Sequence, residues 1–220
     1  GSSESVSAGF SGISSGGVMV NSTTAPAQAA PTADGGSVVT YQTTFANGET
    51  LDLAYEFHPD PRPQSFAGTN FTLPAGASKW TVSMLGWPFG NDPAMTTFEV
   101  GHTVTVGDGQ EAIANVLVQH HTPHPNMTTF VVLMDGPGDL AVRLETFDVV
   151  EVDGEVVYMP EVRVQASATK VGELEVTLTF PRFAQRLTYD PNIYMITIDT
   201  QRDYSSASAG PSAAWTTVLW

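Results

Sequence analysis

At 220 residues, with 41% hydrophobic residues and a mean hydropathy of −0.03, the chain is long enough for one domain with a sizeable buried core. No apolar run approaches the roughly 18 to 20 residues that span a bilayer, so membrane insertion within the chain is not expected. The net charge of −15 arises from missing cations: 23 acidic residues stand against 8 basic ones, with Lys79 and Lys170 the only lysines. Such a surface repels phosphate backbones, which excludes nucleic-acid binding as a role.

Residues 1–37 are rich in Ser, Gly, Ala, Thr and Pro, and Glu4 and Asp34 are their only charges. They predict an extended arm in which Thr23 to Pro31 is a proline-stiffened linker. Phe10, Ile13, Val18, Met19 and Val20 are too sparse for a core of their own. They suit a strand docked on a sheet, either the chain's own or a neighbour's. No basic and apolar leader opens the sequence at Gly1, so a secreted protein is expected to be numbered here from a processed end.

From Val38 onward, period-two alternation dominates and defines a sandwich domain over residues 38–204. Val39, Tyr41 and Phe45 share one face, and Asn47-Gly48 is a strong hairpin signal. Leu51, Leu53, Tyr55 and Phe57 then alternate with Thr50, Asp52 and Glu56. Trp80, Val82 and Met84 repeat the pattern, as do Phe98, Val100, Val104 and Val106, and then Leu140, Val142 and Leu144. Phe130 to Met134 is apolar throughout and predicts a central strand covered on both faces. Asp153-Gly154 divides two valine-rich strands as a second hairpin, and Leu174, Val176, Leu178 and Phe180 form another amphipathic run. Asn91-Asp92-Pro93-Ala94 suits one short helical turn. Residues 205–220 are a small, polar, linker-like tail whose apolar end, Trp215 to Trp220, suits a final strand. The expected fold is therefore all-β: an antiparallel β-sandwich or jelly roll of roughly ten strands with an extended N-terminal arm.

Three sequons, at Asn21, Asn70 and Asn126, fit N-x-[ST] where chance yields roughly one. They point to a secreted or cell-surface glycoprotein. The absence of cysteine is silent on compartment, since a domain of this size folds without disulfides.

Motifs that carry chemistry are few. His120, His121 and His124 lie within five residues, and three imidazoles could bind a transition metal. On a strand, however, the first two point to opposite faces, and Pro123 and Pro125 mark a solvated loop. His102 falls on an apolar strand face, the setting of a hydrogen-bonded core histidine. Gly12 to Gly16 matches G-x-S-x-G, but that motif needs a strand-to-helix turn over an α/β sheet. Asp135 and Asp139, with Asp60 apart from them, are the candidate ligands of a structural calcium ion, the one cofactor left open. Trp87-Pro88-Phe89 is either a core plug or an exposed patch, the plug being favoured.

These observations favour a non-enzymatic extracellular structural or adhesive protein over an enzyme. Its expected partners are copies of itself, assembled into a surface filament by strand addition of the arm through Phe10, Ile13, Val18 and Val20, with glycans as further partners. A related reading is an ectodomain whose membrane anchor followed Trp220. The alternatives are a carbohydrate-binding or hydrolytic β-sandwich and a viral jelly-roll capsid protein, the last weakened by an arm without basic residues.

Overall fold

The computed structural model describes residues 6–15, 18–19, 22–90, 92–106, 112–120, 126–135, 140–159, 161–190, 192–197 and 216–217. The arm holds β1 (Val6–Ser15), β2 (Val18–Met19), β3 (Ser22–Thr24) and β4 (Gln28–Pro31). The body begins with β5 (Ser37–Phe45), β6 (Thr50–Phe57), β7 (Arg62–Phe66), β8 (Thr69–Leu73), β9 (Ser78–Leu85) and β10 (Thr97–Val106). It continues with β11 (Ala112–His120), β12 (Met127–Asp135), β13 (Leu140–Phe147), β14 (Val149–Val152) and β15 (Glu155–Tyr158). Last come β16 (Glu161–Ala166), β17 (Glu173–Pro181), β18 (Arg186–Tyr189), β19 (Asn192–Thr197) and β20 (Thr216–Thr217). No helix occurs among the described residues, and every described strand pairing is antiparallel. The all-β expectation holds.

Among the described residues twenty strand segments appear where roughly ten were expected. The surplus consists mostly of pieces of two to four residues, such as β2, β3, β15 and β20, too short to display a periodicity. The turn expected around Asp92 is non-helical, with the Met95 amide bonded to the Asp92 carbonyl and the Ala94 amide to the Asp92 side chain.

Two principal sheets face each other. The smaller has the order β16-β17-β10-β1-β2. The larger, of 13 strands, runs β15-β14-β18-β9-β19-β13-β12-β11-β20, with β6, β5, β4 and β3 extending from the opposite side of β9. The branch arises because β18 pairs with the Val82–Leu85 end of β9 and β19 with its Ser78–Lys79 end, on the side away from β6. Hairpin β7–β8 forms a third, two-stranded sheet and sends Phe66, Phe71 and Leu73 into the core.

Alternation explains the packing. Leu51, Leu53, Tyr55, Trp80, Val82 and Met84 fill the larger sheet's inner face, opposite Phe98, Val100, Val104, Leu174, Val176, Leu178 and Phe180 of the smaller. Each such fully buried side chain contributes about 1.5–3 kcal/mol. Phe180 meets Tyr189 edge-on at 5.5 Å across the layers. The central run behaves differently from expectation. β12 lies between β11 and β13; Phe130 and Val132 are buried, but Val131, Leu133 and Met134 are only half-buried, so cover on both faces holds at Met127 to Phe130 and is lost toward the end of the strand. The Trp87 segment is a plug: Trp87 is buried against Phe89, Phe98 and Phe183, and Arg182 lies 5.8 Å over its ring.

Both hairpins read from Gly dipeptides are present, the first joining β5 to β6 around Asn47-Gly48 and the second β14 to β15 around Asp153-Gly154. Asp153 and Gly154 have φ of 52° and 87°, as a two-residue hairpin turn requires. The Asp153 carboxylate also accepts backbone N–H groups from Ala184, Gln185 and Arg186 at 2.8, 2.7 and 2.8 Å. These bonds, that of Arg186 foremost, hold its carboxyl below the ordinary value. Asp153→Ala is expected to cost about 1 kcal/mol, comparable with a lost helix cap, because all three exposed donors can rehydrate. Urea unfolding checks this, and the loss should shrink as pH falls below about 4, where the unfolded chain's carboxyl takes up its proton before the native one does.

Candidate functional site

The residues singled out from sequence disperse over the fold. Phe10 and Ile13 lie on β1, which pairs with β10 of the same chain from Val6↔Val106 to Ser14↔Glu99. Ile13 is buried and Phe10 half-buried against the core. Val18 lies on β2, and Val20 and Asn21 fall outside the described residues. Ser14, the nucleophile position of the G-x-S-x-G match, is on a strand and donates its hydroxyl to Glu99 at 2.8 Å. His120 ends β11 opposite Thr128, while His121, His124 and Asp139 lie outside the described residues. Asp135 ends β12 and Asp60 is exposed between β6 and β7. Among the described residues no group of three His, Cys, Asp or Glu side chains could hold a metal ion. Asn70 and Asn126 are both exposed, as a glycan requires.

One of these residues, Asn126, is hydrogen-bonded to Asp148 and Tyr158, two residues that line a cleft of about 330 Å³. Val118 of β11 and Thr128 and Phe130 of β12 form one wall. Asp148, Tyr158, Met159, Glu161 and Val162 form the other, where the edge of the smaller sheet at β16 approaches β11. Asp148, the single residue between β13 and β14, organises the rim. Its amide donates to the Asn126 carbonyl at 2.7 Å, its carboxylate accepts from the Thr128 hydroxyl at 2.7 Å, and its carbonyl accepts from the Met159 amide at 2.9 Å. Asn126 itself is held in the left-handed region, with φ of 70°. The Tyr158 hydroxyl donates to its side-chain oxygen at 3.3 Å. Tyr158 is 73% exposed, an unusual setting for a large aromatic residue. An open ring face, two carboxylates and an amide around a small apolar cleft suit a ligand with one apolar face and several hydroxyls.

Sequence inspection found Asn126 through its motif and missed Asp148, Tyr158 and Glu161. The paired valines at 149–150 and 156–157 blur the parity that would have marked Tyr158 as outward-facing. A second polar cluster was also missed. His58, buried to 2% exposure, directs Nδ1 to Asp34 and Nε2 to Glu56, each at 3.2 Å. Arg62 binds Asp34 at 2.7 Å and approaches His58 Nδ1 at 3.3 Å. The cluster latches the β4–β5 turn to the β6–β7 connection.

A third cluster ties the two sheets together. Tyr55 and Trp80 of the larger sheet meet His102 of the smaller, with a 2.8 Å hydrogen bond between Tyr55 Oη and His102 Nδ1. The Trp80 and His102 rings lie 4.9 Å apart. Burial pushes His102 down to about 3 and raises the Tyr55 phenol above its ordinary value. His102 is thus a neutral core histidine, as its place on an apolar face predicts.

No protein-family model matches this chain, and no match is found among curated proteins. Among the described residues no helix is long and apolar enough to cross a membrane.

Proposed function

We propose that the chain is a structural subunit of an extracellular or cell-surface assembly, in which the N-terminal strand of one copy completes the smaller sheet of the next. The supporting observation is the placement of β1. Among the described residues, β1 joins β10 through eight residue pairs, is followed outward only by the two-residue β2, and contributes Ile13 to the core. Supplied by a neighbour, it would make the same contacts and leave no new surface to be designed. Successive head-to-tail exchanges of this kind give an open polymer rather than a closed pair.

Two experiments test this. Deleting residues 1–22 is expected to abolish polymers seen by negative-stain microscopy; a truncated chain that assembles like the intact one would refute the reading. Because deletion also uncovers β10, the second test leaves the fold intact. Ser14 and Glu99 are register partners and the chain has no cysteine of its own, so Ser14→Cys with Glu99→Cys adds a bridge at a distance a disulfide can close. Oxidation of assembled protein is expected to give a ladder of linked chains on a non-reducing gel. Bridging confined to single chains would overturn the exchange.

A further inference from the structure

We propose that the cleft beside Asn126 is the seat of the chain's own N-linked glycan, whose first sugar lies against the open face of Tyr158. The inference rests on the extracellular reading above. Three observations on the molecule select this occupant over a free ligand. Asn126 begins the sequon Asn126-Met127-Thr128 and is exposed. Its side-chain oxygen accepts from the Tyr158 hydroxyl at 3.3 Å, and the nitrogen that would carry the sugar is bonded to the same amide carbon as that oxygen, which places the attachment point beside Tyr158. The cleft, at about 330 Å³, lies at the small end of sites for sugar-sized ligands. A pyranose has an apolar face that packs on an aromatic ring and hydroxyls that suit Glu161 and Asp148. Covalent attachment gives this sugar a high effective concentration at the cleft, which a free saccharide lacks.

The modification is a glycosyl transfer from a lipid-linked oligosaccharyl diphosphate. The Asn126 Nδ2 forms a bond to the anomeric carbon, that carbon's bond to the phosphate oxygen breaks, the lipid diphosphate leaves, and the amide proton goes to a base. In the folded chain Thr128 is 6% exposed and its hydroxyl is given to Asp148. Since the sequon hydroxyl takes part in recognition by the transferase, the transfer must precede the folding of β12.

The test compares chain secreted from a eukaryotic host with chain made in a bacterium lacking the transferase, site occupancy being read by mass spectrometry. If no sequon is occupied, the extracellular reading fails and this inference with it. If Asn70 is occupied and Asn126 bare, the extracellular reading stands and the inference fails. With Asn126 occupied and trimmed to one N-acetylglucosamine, the Tm is expected to exceed that of the bare chain by about 3 °C. Tyr158→Ala, at an exposed position that leaves folding intact, should abolish this increment, and Tyr158→Phe should keep most of it. An increment unchanged in Tyr158→Ala, or free N-acetylglucosamine bound with equal strength by bare chain, would overturn the assignment.

Discussion

Replacing Lys79 with methionine will destabilise the chain by about 3 kcal/mol at neutral pH, the scale of a broken buried ion pair. Lys79 Nζ lies 3.0 Å from Asp190 Oδ2, and the two side chains are only 14% and 10% exposed. Thr81 donates to the other carboxylate oxygen at 2.9 Å. Burial raises the Asp190 carboxyl above its ordinary value, and Lys79 is the main influence pulling it back. Without the cation, a carboxylate stays buried with only a hydroxyl beside it. Asp190 is also where the chain leaves β18 and turns into β19, both lying along β9, so its anchoring fixes the branch in the larger sheet. The loss should shrink as pH falls, because a carboxyl with a raised native value takes up its proton before the unfolded one does. Adding Asp190→Asn to Lys79→Met should recover much of the stability. Urea unfolding at pH 7 and pH 5 measures all three quantities, and a loss below 1 kcal/mol, or one that grows on acidification, would contradict the account.

The second large effect is acid lability from His102. Its native value of about 3 lies well below the 6.5 of an unfolded histidine, so the unfolded chain binds the extra proton first. Stability from this source is complete above pH 6.5. It falls by about 1.4 kcal/mol for each pH unit through the window down to 3. Asp190, raised rather than lowered, works in the opposite direction just above its unfolded value, and Asp153 adds a loss only at the acid end. The slope between pH 6.5 and 4.5 therefore belongs mainly to His102. Replacing both partners, His102→Leu with Tyr55→Phe, removes the titrating ring without stranding a buried hydroxyl. The double variant should lose that slope while remaining folded. Tyr55→Phe alone should keep it.

Much of this fold was legible in the sequence because its main strands are wet on one face and dry on the other. Leu51, Leu53 and Tyr55 against Thr50 and Asp52 display that division directly, and Asn47-Gly48 and Asp153-Gly154 give away the two hairpins through the positive φ that their turns require. The pairing of β1 with β10 was left open, since alternation says which face of a strand is buried but not which strand lies beside it. The same limit hid the cleft. Asn126, Asp148, Tyr158 and Glu161 come from separate segments, and only the local register brings them together. Asp148 acts largely through its backbone, which a side-chain pattern does not record. His58 was passed over for a related reason, because its partners Asp34, Glu56 and Arg62 surround it only once the turn before β5 has folded onto the end of β6.

The position of β1 also sets a timetable for biosynthesis. Val6 leaves the ribosome 100 residues ahead of its partner Val106, and β17, which closes the other side of β10, follows far behind. At roughly 5–20 residues per second, that separation is an interval of about 5–20 s in which the leading strand has no partner of its own. Contacts so distant in sequence form slowly, because a long loop must close before they can be made. For those seconds β1 waits for a strand not yet synthesised, and the exchange proposed above would have an open β10 on a neighbouring chain as its competitor.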